Sequence, residues 1–176
     1  MTSKQRVLQR EHDRGRPVGK VQGKADALNL ADRAAGMDGT AIIAEEKKVP
    51  LFVWGTDYSG CSAGTPIGEI IDGELQVFTM ITPVNTANYP GITPNTERSL
   101  YSLCHTKDPA KAKPFVDAQG TSGMYKLDEC CTYPCADGTT HVFRNLYDNN
   151  EYPPLTLNVE DRWEDLGEVQ SMEVSA

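Results

Sequence analysis

The chain has 176 residues, 39% of them hydrophobic and 24% charged, and a net charge of −8. That length is enough for one or two small domains. No apolar run approaches the ~18 residues a membrane-spanning helix needs. Residues 1–30 lack the apolar stretch of a secretion signal, so the expectation is a chain made in the cytoplasm that makes no membrane contact.

The charge is uneven. Residues 1–24 carry seven Lys or Arg against two acids, a net +5, and the remainder carries 10 against 23, a net −13. Gly15, Gly19 and Gly23 with Pro17 argue against a helix through this basic segment, which reads as an extended arm. A basic arm on an acidic body docks on an acidic protein surface or on nucleic acid, or stays a solvated tail. For docking, Arg6, Arg10, Arg14 and Arg16 supply charge, and Val7 and Leu8 supply groove anchors.

Residues 25–35, ADALNLADRAA, are good helix formers with Leu28, Ala31 and Ala35 on one side. Gly36 stops the run. Asp38 or Thr40 caps a second short helix over 41–48, with Ile42 and Ile43 as its apolar face. Pro50 ends it. Helices this short are marginal alone, so they pack on the following module or on neighbouring subunits.

Leu51, Phe52, Val53 and Trp54 form a continuous apolar run and predict a buried strand, with Trp54 in a core or an interface. Ile67, Ile70 and Ile71, then Leu75, Val77, Phe78, Met80 and Ile81, predict strands around an Asp72-Gly73 turn. Residues 82–98 are rich in Thr, Pro and Asn and read as a long loop around Tyr89. Residues 104–114, CHTKDPAKAKP, read as an exposed linker. After it, Asp137-Gly138 introduces a β-rich run from Thr140 to Leu146. Asp148, Asn149 and Asn150 make an Asx-rich turn, Tyr152-Pro153-Pro154 a loop, and Trp163 a final short strand.

The two halves share a pattern. Asp72-Gly73-x-x-x-Val77-Phe78 matches Asp137-Gly138-x-x-x-Val142-Phe143 at an offset of 65 residues. Asn88-Tyr89-Pro90 answers Glu151-Tyr152-Pro153. This reads as an internal duplication, set against chance similarity of turn residues. The expected division is a basic arm (1–24), a helical segment (25–49), a first β module (50–106), and a linker, second β module and tail (107–176). The expected fold is mainly β: two small twisted antiparallel β modules in tandem behind an extended arm and short N-terminal helices.

Each half also resembles the carbohydrate-binding modules of families five and twelve, the chitin-binding type-3 fold. The motifs that carry the resemblance are Asp137-Gly138…Phe143, Asp148-Asn149-Asn150-Glu151-Tyr152-Pro153 and Trp163-Glu164-Asp165-Leu166. The first half departs from them, with Leu100 or Tyr101 where the terminal Trp falls, and Tyr89 and Tyr152 stand where the family has Trp. Tandem copies behind a helical N-terminus resemble accessory proteins of tailed bacteriophages. The resemblance implies a structural virion protein, on the capsid as decoration or head fibre, or on the tail as a fibre. It would be assembled in the host cytoplasm and held by its arm on the major capsid or tail protein. A homo-oligomer follows, a trimer among the options, with host surface polysaccharide as a further partner. The alternative is a free carbohydrate-binding module protein that targets a cell-surface glycan.

Sugar binding needs flat aromatic faces flanked by polar groups. The second module offers Tyr147, Asn149, Asn150, Tyr152 and Trp163. The first offers Tyr58 and Tyr89, with Asn85 and Asn88. The competing reading makes Phe143 and Trp163 the core of a very small module and packs Tyr152 on Pro153.

Other chemistry has weaker support. Gly60-Cys61-Ser62-Ala63-Gly64 matches the nucleophile elbow, but Thr65-Pro66 follows where a helix must start. His12, His105 and His141 stand beside no nucleophile and carboxylate constellation, and no phosphate-binding Gly pattern is present. No enzyme and no cofactor are expected. Cys130, Cys131 and Cys135 with His141 have the atoms of a zinc site without its usual spacing. Free thiols, Cys61 and Cys104 included, are the expectation, and no metal.

Overall fold

The computed structural model describes residues 19–169 and, of residues 19–22, the backbone only. The proposed anchors Arg6, Val7, Leu8, Arg10, Arg14 and Arg16 lie outside the described residues. The chain forms two compact units divided between Cys104 and His105. Among the described residues it is mainly β, with one sheet in each unit and two α-helices ahead of the first sheet.

Helix α1 spans Gly19–Ala34. It therefore begins inside the segment read as an extended arm, and Gly19 and Gly23 are helical. Each Gly costs only ~1 kcal/mol in a helix, and elongation from the Ala- and Leu-rich run adds one hydrogen bond per residue. Helix α2 spans Gly39–Ala44, and the Asp38 carboxylate caps it by accepting from the Ala41 amide at 2.9 Å. The expected helix over 41–48 is thus split, with a 3₁₀ turn at Glu46–Lys48.

Strands β1 (Pro66–Ile71), β2 (Glu74–Met80) and β3 (Tyr101–Leu103) form an antiparallel sheet in chain order. The β1–β2 turn is the two-residue Asp72-Gly73, with φ of 50° and 93°, the left-handed pair that a type I′ hairpin needs. The central strand β2 is buried on both faces. Val77 packs with Leu30, Ile42, Ile43, Val49 and Cys104, so the helices cover one face. On the other, the Arg98 guanidinium lies 5.1 Å from the centre of the Phe78 ring. Gly68 sits where β1 meets the chain entering the sheet. Its amide donates to Pro50 and its carbonyl accepts from Phe52, and a Cβ there would stand 2.8 Å from Leu75 Cδ1.

The run 51–54 is not a buried strand. Leu51 alone bridges to Gly68, and Trp54 is 53% exposed. Gly55, with φ of 85°, turns the chain away from the sheet edge before a ladder can form.

The second unit holds β4 (Lys113–Pro114), β5 (Cys130–Pro134), β6 (Thr140–Asn145) and β7 (Trp163–Glu168) in that order. β5, β6 and β7 run antiparallel, and β4 joins parallel to β5. Residues 104–114 are not an exposed linker: Cys104, His105 and Thr106 are buried. Thr106 bridges to Cys130 and Lys113 pairs with Cys131, so the stretch from His105 on belongs to the second sheet.

Asp137-Gly138 also differs from its counterpart. The Gly138 amide donates to the Cys135 carbonyl, Cys135 pairs with Thr139, and only Gly138 has positive φ. This is a three-residue loop ending in a left-handed Gly, the other common hairpin closure. Among the described residues no α-helix contributes to this core. Tyr125, Cys131, Phe143 and Trp163 fill it, with Phe115 and Tyr133 against them. Tyr125 lies 5.3 Å from Phe115 in a stack and 5.1 Å from Trp163 edge to face, and the buried His105 ring stacks on Tyr125 at 3.7 Å.

Candidate functional site

The loop from Leu146 to Arg162 is built on a buried amide pair. Asn145, the last residue of β6, donates to the carbonyls of Lys126 and Tyr147. Its amide oxygen accepts from Asn150 Nδ2 at 2.8 Å. Asn150 in turn accepts from the Tyr152 amide at 3.1 Å and exchanges backbone hydrogen bonds with Tyr125. Both asparagines are fully buried, where an unsatisfied amide group costs ~1–3 kcal/mol. The pair thereby holds the loop in register. Asn149, with φ of 57°, makes the tight turn between them and is exposed.

This scaffold carries two tyrosines outward. Tyr147 is 46% exposed and Tyr152 is 39% exposed. The Arg162 guanidinium lies over both rings, 5.5 Å from the Tyr147 ring centre and 5.0 Å from that of Tyr152. A guanidinium over a ring face is attracted by the ring quadrupole. Tyr147 Oη also donates to Asp161 at 3.3 Å. Arg162 is placed by the 3₁₀ turn Glu160–Arg162 that leads into β7, and its carbonyl accepts from the Leu146 amide. The result is a Tyr-Arg-Tyr array at the surface.

Of the sequence-based candidates, the structure brings Tyr147 and Tyr152 to this surface, and Asn149 is exposed in the same loop. Asn150 is a correction: both ends of its amide are engaged inside the unit, which leaves it no exposed polar edge. Trp163 is likewise core, at 7% exposure, with Nε1 donating to the Tyr152 carbonyl at 2.9 Å. Its contribution to the surface is to fix Tyr152 from behind. Arg162 escaped the sequence reading, because nothing in the spacing of one arginine from two tyrosines signals a stack that a 3₁₀ turn creates.

In the first unit Tyr89 is exposed, and its carbonyl accepts from Trp54 Nε1 at 3.1 Å. Tyr58 is half-buried and stacks on Phe52 at 5.9 Å. Its hydroxyl accepts from the Val53 amide at 2.9 Å, and burial pushes the phenol pKa up. The Asn85 side chain caps the 3₁₀ turn Thr86–Asn88. Thr86, fully buried, accepts from the Gly55 amide and donates to the Thr56 carbonyl. The surface aromatics of this unit are therefore Trp54 and Tyr89, while Tyr58 is turned to support. Trp54, read from sequence as lying in a core or an interface, is outside the core and is the larger exposed ring.

The remaining candidates do not converge. Ser62 lies in an exposed turn with no helix after it, and its carbonyl accepts from Thr65. Among the described residues no three His, Cys, Asp or Glu side chains are grouped to hold a metal ion. Cys130 and Cys131, adjacent in β5, alternate across the sheet, and Cys135 lies past the strand end. Burial drives the Cys131 thiol pKa far up, which keeps it protonated and unreactive. His141 is paired with Asp165 across β6 and β7, Nδ1 to carboxylate at 2.8 Å. Burial pulls the Asp165 carboxyl upward, but the Gly167 amide and His141 outweigh it and hold its pKa low. No protein-family model, no curated protein and no solved structure matches the chain.

Proposed function

We propose that this chain is a structural accessory protein of a tailed-bacteriophage virion, whose two β units serve as carbohydrate-binding-like display modules. The observation that carries the binding part is the Tyr147-Arg162-Tyr152 array. Two rings exposed by about two-fifths or more are held in place from beneath by a buried amide pair. A loop that spends its buried hydrogen bonds on presenting aromatic rings to solvent is built for recognition. The Trp54–Tyr89 pair offers the first unit a surface of the same kind.

The virion setting rests on the resemblance described above and on the charge asymmetry. A basic arm ahead of an acidic body suits attachment to the major capsid or tail protein, and the copies would form a homo-oligomer. Host surface polysaccharide is the ligand class that the aromatic array fits. A free glycan-targeting module protein is the second reading, favoured by the same array, and it needs no assembly partner.

The test is retention of the purified chain on chitin, peptidoglycan and whole bacterial surfaces. Wild type is compared with Tyr147→Ala and Tyr152→Ala, with circular dichroism confirming each fold. Retention that disappears in folded variants establishes the array as the binding surface. Lack of retention on every surface removes the glycan reading and leaves only a scaffold role. Copurification with a capsid or tail protein separates the virion reading from the free module.

A further inference from the structure

Helix α1 has two working faces. Leu30 and Ala34 are buried on one. The other lines a groove of about 590 Å³ with Lys24, Ala27, Leu28, Ala31 and Asp32, faced by Cys61 and Ala63 of the loop before β1. These helix positions recur at intervals of three and four, so they form one stripe. Leu28 stands in the middle of it, 65% exposed.

The charges on that stripe are arranged about Leu28. Lys24 lies four residues before it and Asp32 four residues after it. They are ~12 Å apart along the axis, beyond pairing distance of each other. Among the described residues neither has an ion-pair partner, whereas the neighbouring Arg33 is already held by Glu45 at 2.9 Å. A helix with Lys and Asp equidistant from a central Leu is complementary to its own reverse. Two copies of α1 laid antiparallel about a two-fold axis at Leu28 put each Lys24 against the other copy's Asp32. Leu28 then meets Leu28, and Ala27 and Ala31 let the backbones approach.

We propose that this face is a two-fold self-association surface, with α1 of each copy seated in the groove of the other. The occupant is a second copy because one helix supplies both halves of the charge match. A different partner would have to bring that pattern independently. The proposal deepens only the homo-oligomer part of the functional reading. Its failure shows in molecular mass, and that of the display-module reading shows in surface retention.

Sedimentation equilibrium of the full chain is the test. Leu28 is exposed, so Leu28→Asp leaves the fold intact by circular dichroism and converts dimer to monomer. Lys24→Glu and Asp32→Lys each weaken the dimer about tenfold, equivalent to about 1.4 kcal/mol. The double variant, with the pair reversed, returns to within about threefold of wild type. A Leu28→Cys variant in a Cys61→Ser background crosslinks to a covalent dimer on oxidation. A wild-type monomer at about 100 μM, where a dimer of useful affinity would form, overturns the proposal. So does a double variant no better than either single one, or a trimer whose mass Leu28→Asp does not change.

Discussion

Each unit hangs a tryptophan indole on the carbonyl of a tyrosine that precedes proline, and the two indoles have opposite fates. Trp54 donates to Tyr89 and stays 53% exposed, while Trp163 donates to Tyr152 and is 7% exposed. The difference follows from what covers each sheet. The first unit has helices to lay on its sheet, and their Leu30, Ile42, Ile43 and Val49 make an aliphatic core. Its tryptophan is then free to sit outside. Among the described residues the second unit has no α-helix to lay on its sheet, so a few large rings fill its core. Aromatic side chains bury roughly 150–250 Å² each, which is why Tyr125, Phe143 and Trp163 pack together at its centre. The same latch closes over a core in one unit and over a surface in the other.

The largest test of this contrast is the tryptophans themselves. Trp163→Ala should cost about 3–5 kcal/mol and unfold the second unit, seen as lost near-ultraviolet dichroism and an early urea transition. Trp54→Ala should cost less than about 1 kcal/mol, since half the ring is already in water. Equal costs would mean that Trp54 is structural after all.

The buried polar latches come next. Asn145→Ala strands the Asn150 amide and the Tyr147 carbonyl and takes one of the two donors from the Lys126 carbonyl, and about 2–3 kcal/mol is expected. In the first unit Thr86→Val removes the acceptor of the Gly55 amide and one of the two donors to the Thr56 carbonyl, the Thr86 amide keeping the other, for about 1–2 kcal/mol. Urea melts of both variants check the order, and a reversed order would assign the stiffer loop to the first unit. Gly68→Ala belongs at a similar level, about 1–2 kcal/mol, because its Cβ must displace Leu75 inside a packed layer. A thermal melt as stable as wild type would show that Leu75 moves aside freely.

The smallest effect is electrostatic. Hydrogen bonds from Arg33 first and Lys48 second hold the Glu45 carboxyl at about 2, below the ordinary Glu value. Its folded form therefore binds fewer protons than its unfolded form. Its contribution is fully present above the ordinary carboxylate range and fades as pH falls towards 2. Amide exchange in α1 and α2 should quicken over that window, and Glu45→Gln should remove this part of the acid dependence. The second unit should respond through Asp165 instead, with the same sign, because its carboxyl pKa is also held low and acid protonates it.

Much of the local structure was legible from residues alone. The Asp72-Gly73 turn, the Asp38 cap and the strands rich in Ile, Val and Phe are decided within a few neighbours. So is the Asx turn at Asn149. Their causes are short-range: positive φ for Gly and Asn, a carboxylate near orphan amides, β-branched side chains on a pleat. The mainly β class follows from them. Tyr147 and Tyr152 were legible as candidates because Pro and Asx residues around them mark a loop.

What only the tertiary structure decided is which side of a surface each side chain falls on. The apolar run ending at Trp54 has the composition of a strand, but Gly55 and the Thr86 latch carry the indole outward. Asn150 has the composition of a binding residue, but Tyr125 and Asn145 enclose it. Residues 105–114 have the composition of a linker, yet Thr106 and Lys113 pair with β5. Arg162 gained its place between two tyrosines from a single 3₁₀ turn. Composition sets what a segment can bury, but partners far away in the chain determine whether it is buried, because burial depends on what arrives to cover it.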